Sequence, residues 1–135
     1  MSIMTNSTPP RPRGRQGGQL LIIGVDTPKD FHVAAAVDDR GTLLEIARFN
    51  ATRAGYDSLA LWAENLRRQV TAHIADTDLI YAVEGTSSYG AGLVAALRPR
   101  GVTIHEVARP NRRDRRLRGK TDAFDAENAA RAVLA

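Results

Sequence analysis

The feature that most constrains the fold of this chain is a pair of short apolar runs that each end in an acid. QLLIIGVD (19–26) ends at Asp26, and DLIYAVEG (78–85) ends at Glu84 and a following glycine. Continuous apolar runs of this length are typical of strands that are buried on both faces of a sheet. We therefore predict two central strands, each with a carboxylate at its end.

The segment between these runs supplies the neighbours of the first strand. Residues 31–39 and 42–49 predict two more strands, and a tight turn at Asp39-Arg40-Gly41 joins them. Close turns between three successive strands indicate an antiparallel meander. A helix follows within 52–73, because apolar side chains recur there at helical spacing: Leu59, Trp62, Leu66 and Val70.

After the second apolar run, the pattern alternates between helices and strands. A Gly/Ser-rich turn leads into a helix that ends near Arg98, a fifth strand covers 102–107, and a last helix begins at about Thr121. This order predicts an α/β fold with a mixed five-stranded sheet, strand order 3-2-1-4-5, flanked by helices. That arrangement is ribonuclease H-like, of the RuvC type, over residues 19–135; an α+β domain with another strand order is the alternative. Residues 1–18, rich in Pro, Gly, Ser, Thr and Arg, are interpreted as a disordered basic tail.

Four acids are the candidates for chemistry. If strands one and four are adjacent and parallel, Asp26 and Glu84 emerge at the same edge of the sheet. Asp122 and Asp125 are three residues apart, which places both on one face of the last helix. If this helix packs across the same edge, four carboxylates converge. Their mutual repulsion then favours a bound cation, and hard oxygen ligands select Mg²⁺ or Mn²⁺.

Each acid also has an ordinary structural interpretation. Acids that follow strands commonly form turns or cap helices, which suits Asp26 and Glu84. Asp122 has the character of a helix N-cap, and Asp125 that of a first-turn acid favoured by the helix dipole. The hypothesis of a metal site, with these four residues as both metal ligands and catalytic acids, rests on the combination rather than on any one of them.

The charge distribution predicts a nucleic-acid partner. The net charge is +4, but the first 19 residues carry +3 and residues 109–120 carry +6, which leaves −5 for the rest. Clustered Arg and Lys gain free energy by displacing counterions from a phosphate backbone. The candidate contacts are the basic residues of the second segment: Arg109, Arg112, Arg113, Arg115, Arg116, Arg118 and Lys120. A solvated loop beside a disordered tail is the other interpretation.

Several classes of site are disfavoured. Gly119-Lys120-Thr121 spells the end of a phosphate-binding loop, but that loop needs a glycine at position 114, which is Asp. The chain has no cysteine, so it forms no disulfide or thiolate metal site, and its three histidines lack ligand spacing. No apolar run is long enough to span a membrane, and no secretory signal is evident, so we expect a cytoplasmic protein with no membrane partner.

Three segments together resemble a known family. IIGVDTPKDFHVAAAVDDRG, YAVEGTSSYGAGLVAALR and VARPNRRDRRLRGKTDAFDAENAARA are similar, in this order, to the N-terminal DEDD domain of transposases of the insertion-sequence 110 family. The resemblance covers about 20–135. It implies a fold like that of Holliday-junction resolvases, with an acidic tetrad at Asp26, Glu84, Asp122 and Asp125.

The resemblance also implies a function and partners. Members of the family are DNA recombinases that move a mobile element, guided by a structured bridge RNA, and they work as multimers. Their DEDD domain binds Mg²⁺, and a second, C-terminal domain supplies a catalytic serine. We see no serine domain in this sequence, so we expect that the chain alone does not complete strand exchange. DNA, a bridge RNA and further copies of the chain are the expected partners.

Three other functions remain open at this point. The same acids suit a self-sufficient, Mg²⁺-dependent nuclease that selects branched DNA. The basic segment alone suits a non-catalytic nucleic-acid-binding remnant. An actin-like ATPase shares the strand order but needs a glycine two residues after the first acid, and position 28 is Pro.

Overall fold

The computed structural model describes residues 18–70, 76–108 and 122–134. These residues form five strands, three α-helices and one short 3₁₀ turn (Arg98–Arg100). In chain order they are β1 (Gly18–Asp26), β2 (Phe31–Asp38), β3 (Leu43–Asn50), α1 (Arg53–Val70), β4 (Asp76–Glu84), α2 (Ala91–Leu97), β5 (Thr103–Val107) and α3 (Asp122–Leu134). The predicted elements are all present, with ends that differ by a few residues: β1, for example, begins at Gly18, which pairs with Asp76.

The strands form one mixed sheet in the order β3-β2-β1-β4-β5. β1 pairs antiparallel with β2 and parallel with β4, and β5 is parallel to β4. The predicted ribonuclease H-like arrangement is therefore confirmed. β1 lies at the centre, where both of its faces are covered, and this explains why its sequence is apolar without alternation.

Helices cover both faces of the sheet. α1 and α2 pack on one face against Leu21, Ile23 and Val25 of β1. α3 packs on the other face, where its alanines meet Ile22 and Ala82. The two edge strands are less buried: Leu43, Leu44 and Ile46 of β3 are exposed, and β5 contains no buried residue. Among the described residues, no helix has the length and apolar character needed to cross a membrane.

Candidate metal centre

Two of the four acids end neighbouring parallel strands. The register pairs Gly24 with Ala82 and Val25 with Val83, so Asp26 and Glu84 are the next residues along the two strands. Both side chains are 2% exposed. The hydroxyl of Thr27, itself buried, donates a hydrogen bond of 2.9 Å to the carbonyl of Glu84. This bond ties the two strand ends together and fixes the two acids at one edge of the sheet.

The other two acids come from the first turn of α3. Asp125 is 0% exposed and Asp122 is half-buried. One carboxylate oxygen from each of Asp26, Asp122 and Asp125 lies within 4.8 Å of the others. That spacing matches the roughly 4–5 Å that separates ligand oxygens on opposite sides of one divalent ion. The cluster therefore has the donor type and the size of a site for a hard cation.

A glycine in β1 allows α3 to approach this closely. A Cβ atom on Gly24 would lie 2.0 Å from the carbonyl oxygen of Ala126 and 2.5 Å from the amide nitrogen of Ala130. The backbone of α3 thus rests directly on the backbone of β1. Gly24 lies two residues before Asp26 on the same face of the strand, and Asp125 directly precedes Ala126. The close contact therefore places the side chain of Asp125 next to that of Asp26.

The far end of α3 is held by a second contact. The guanidinium of Arg131 donates hydrogen bonds of 3.2 and 3.0 Å to the carbonyl of Gly41, in the turn between β2 and β3. Arg131 also forms an ion pair with Glu127, one turn earlier on α3. Gly41 has a φ of +84°, a conformation that glycine adopts without strain. Two fixed points along the helix thus set the position of its acidic first turn.

The electrostatics of the cluster are those of crowded carboxylates without a counterion. Burial first, then hydrogen bonding to Asp122 and Glu84, and then the charges of these two acids together raise the pKa of Asp26 to about 8. The Oδ2 atom of Asp26 is buried and accepts no hydrogen bond within the described residues. A proton on Asp26 relieves this repulsion, and a divalent cation would relieve it more completely. The residues therefore fit a metal ion.

A comparison with known protein families shows which family the chain belongs to. The family model for the DEDD transposase domain of insertion-sequence 110 elements, described as a transposase, matches residues 23–135, which is most of the chain. The chain belongs to this family. A search of curated proteins finds no similar sequence. The resemblance noted in the sequence is thus confirmed, and membership of a DNA transposase family makes DNA the implied partner.

The basic residues that we predicted to bind nucleic acid lie outside the part of the chain that the structure describes. In the sequence of the DEDD transposase domain, they fall between β5 and α3. They are Arg109, Arg112, Arg113, Arg115, Arg116, Arg118 and Lys120. Asp122, the first described residue of α3, lies two residues after Lys120 in the chain. Their role in DNA binding stays a prediction.

The sequence of this transposase domain did not lead us to predict a role for Gly24. Its importance lies in its contact with α3, more than 100 residues later in the chain, which spacing alone does not indicate. A signal was nevertheless present, because a glycine inside a buried strand often marks the close approach of another backbone. His32, one of the three histidines that lack ligand spacing, is buried, and its ring hydrogen-bonds to the carbonyl of Phe31 (2.8 Å).

Proposed function

We propose that this chain is the metal-binding and nucleic-acid-binding domain of a DNA transposase of the DEDD type. In this proposal Asp26, Glu84, Asp122 and Asp125 hold Mg²⁺ or Mn²⁺ at the end of β1 and β4. The observation that carries the proposal is the convergence of three carboxylates, two of them buried, within 4.8 Å. A folded protein retains such a costly cluster when a cation neutralises it.

The residues of the chain would have distinct roles. Asp26, Glu84 and Asp125 are buried and would hold the ion from the protein side. Asp122 is half-buried at the start of α3 and would complete the site towards the DNA. When bound, a divalent ion supplies charge stabilisation for the attacking and leaving oxygens of phosphoryl transfer. Thr27 would keep the ends of β1 and β4 in register through its bond to Glu84.

The resemblance to the family supports three further parts of the proposal. The arginines of residues 109–120 would bind the DNA backbone just before the helix that carries Asp122 and Asp125. A bridge RNA would guide the choice of DNA, and the active protein would be a homo-oligomer. A serine from a second domain would complete strand exchange, so the residues described here would supply only the acidic half of the active site.

A DNA-binding and cleavage assay tests this function. The purified chain is mixed with branched and linear DNA, with Mg²⁺ or with EDTA, as wild type and as Asp26→Asn. We expect Mg²⁺ to tighten the binding of DNA by the wild type, Asp26→Asn to abolish this effect, and neither protein to cut the DNA. Asp78→Asn is the control, because Asp78 is an exposed acid at the other end of β4.

The same assay distinguishes the alternative functions. The four acids lie within one chain, an arrangement that also suits a self-sufficient nuclease; Mg²⁺-dependent cutting of branched DNA that disappears in Asp26→Asn would establish that function instead. A non-catalytic binder predicts binding that is indifferent to Mg²⁺ and to Asp26→Asn. Such binding would be lost when the basic segment is neutralised by Gln at its central residues: Arg112, Arg113, Arg115 and Arg116.

A further inference from the structure

A cleft between α1 and α2 opens at the same edge of the sheet as the acids, on the opposite face. It has a volume of about 280 Å³ and is lined by Arg53, Tyr56, Gly92, Ala95 and Ala96. α1 begins three residues after the end of β3, and α2 begins seven residues after the end of β4. Both helices therefore present their first turns where β1 and β4 end. We propose that this cleft binds one nucleotide of the nucleic-acid strand whose backbone passes over the acidic site.

Tyr56 is held in place as one wall of the cleft. Its ring stacks on the buried ring of His32, with the centroids 5.7 Å apart and the planes 24° apart. On α2, a Cβ atom on Gly92 would lie 2.8 Å from the hydroxyl oxygen of Tyr56. The absence of a side chain at Gly92 therefore leaves room for the tyrosine. A fixed aromatic ring facing small residues suits a flat, apolar ligand such as a nucleobase.

Arg53 supplies a positive charge at the mouth of the cleft. Its side chain is exposed, and it forms no ion pair with any residue that the structure describes. Asp57, the nearest acid along α1, is already paired with Arg100 at 2.7 Å. The first turn of α1 contains no acid, so the partial positive charge of the helix terminus adds to that of Arg53. A phosphate is the ligand group that this charge recognises.

His32 connects the cleft to the acidic site. Val33 pairs with Asp26 across β1 and β2 and lies on the same face, so its neighbour His32 points to the opposite face. Tyr56 therefore packs behind the strand end that carries Asp26. A single strand that crosses this edge would reach the acids on one face and the cleft within a few nucleotides on the other. This inference rests on the proposed function, because it assigns part of the binding surface for the same substrate.

Binding of a single-stranded oligonucleotide of about ten residues, measured by fluorescence anisotropy in EDTA, tests the cleft. Without metal, the acids cannot hold the phosphate backbone, so any attraction at this edge comes from the basic residues. We expect Arg53→Gln to raise the Kd about fivefold or more, whereas Arg40→Gln changes it less than about twofold. Arg40 is the matched control, because it is an exposed arginine at the opposite edge of the sheet, in the turn between β2 and β3.

A second variant tests whether a base enters the cleft. Ala95 is exposed, so Ala95→Leu fills the cleft without disturbing the core. We expect this variant to weaken the binding of an intact oligonucleotide but not of one that lacks its bases. Parallel titrations with oligothymidine and oligouridine show whether the nucleotide comes from DNA or from RNA.

Equal effects of Arg53→Gln and Arg40→Gln would overturn the proposal, as would equal loss of the intact and the base-free oligonucleotide in Ala95→Leu. Either result would leave the metal site untouched, since that site is tested separately by the Mg²⁺ effect and Asp26→Asn. Thermal unfolding of each variant confirms that the protein remains folded.

Discussion

Asp26 is the central acid of the proposed metal site. It lies at the buried end of β1, beside the carboxyl groups of Glu84 and Asp122. Its pKa is raised to about 8 from an ordinary value of 3.8. A carboxyl group in that state is neutral at neutral pH unless a cation replaces its proton. The state of Asp26 would therefore link the stability of the fold to the occupancy of the proposed metal site.

This link predicts a specific pH dependence for the metal-free protein. Between pH 4 and pH 8 the folded state keeps a proton on Asp26 that the unfolded chain has released, so the free energy of unfolding contributed by this residue falls as pH rises. Asp26→Asn removes the effect because asparagine is neutral in both states. In EDTA at pH 8, we expect the variant to melt about 5 °C or more above the wild type.

Thermal unfolding from pH 3 to pH 9 measures this difference. The two proteins should converge near pH 3, below the ordinary pKa of 3.8, where the wild-type side chain is largely protonated in both states. Saturating Mg²⁺ should raise the melting temperature of the wild type at pH 8 and leave that of Asp26→Asn nearly unchanged. A wild type that is more stable than Asp26→Asn at pH 8 in EDTA would contradict the assignment.

At the level of secondary structure, the contact between β1 and α3 creates the site. The two strand-end acids belong to the sheet, and the other two belong to a helix that reaches them only because Gly24 has no side chain. Arg131 fixes the same helix at its other end. The geometry of the acids therefore depends on the position of one helix, which a single methyl group can change.

Gly24→Ala tests this dependence. Because the added Cβ would overlap the backbone of Ala126, α3 must move away from the sheet, at a cost of about 1–3 kcal/mol in the free energy of unfolding. We expect the affinity for Mn²⁺, measured by electron paramagnetic resonance, to fall about tenfold or more.

A matched control separates this effect from general destabilisation. A Cβ on Gly55 would lie 1.8 Å from the carbonyl oxygen of Asn50, an overlap as severe as that at Gly24 but between α1 and the end of β3. Gly55→Ala should therefore lose stability while it keeps its affinity for Mn²⁺. If both variants lose the same affinity, Gly24 has no special part in forming the site.

On the scale of the whole molecule, the sequence predicted the sheet well. Apolar runs, tight turns and helical spacing indicate the strand order because connections in such folds are short and follow few topologies. The same pattern singled out the acids at the ends of β1 and β4, since parallel strands end at a common edge. The spacing of Asp122 and Asp125 indicated a shared helix face.

The contacts between distant elements could not be predicted in this way. The overlap of Gly24 with Ala126 and the stacking of His32 on Tyr56 depend on how helices sit on the sheet, at a precision of about 1 Å. Apolar periodicity shows which face of a helix is buried but not how closely it approaches. The cleft was missed for the same reason, because its walls come from two helices that are distant in the sequence.

The central claim is that the four acids form one metal site, and titration with Mg²⁺, followed by calorimetry and by NMR, tests it most directly. We predict that the wild type binds Mg²⁺, that Asp122→Ala weakens this binding about tenfold or more, and that Asp78→Ala does not. The amide signals of Asp26, Glu84 and Asp125 should shift during the wild-type titration. Equal affinities in all three proteins, or no binding by the wild type either alone or with DNA, would contradict the account.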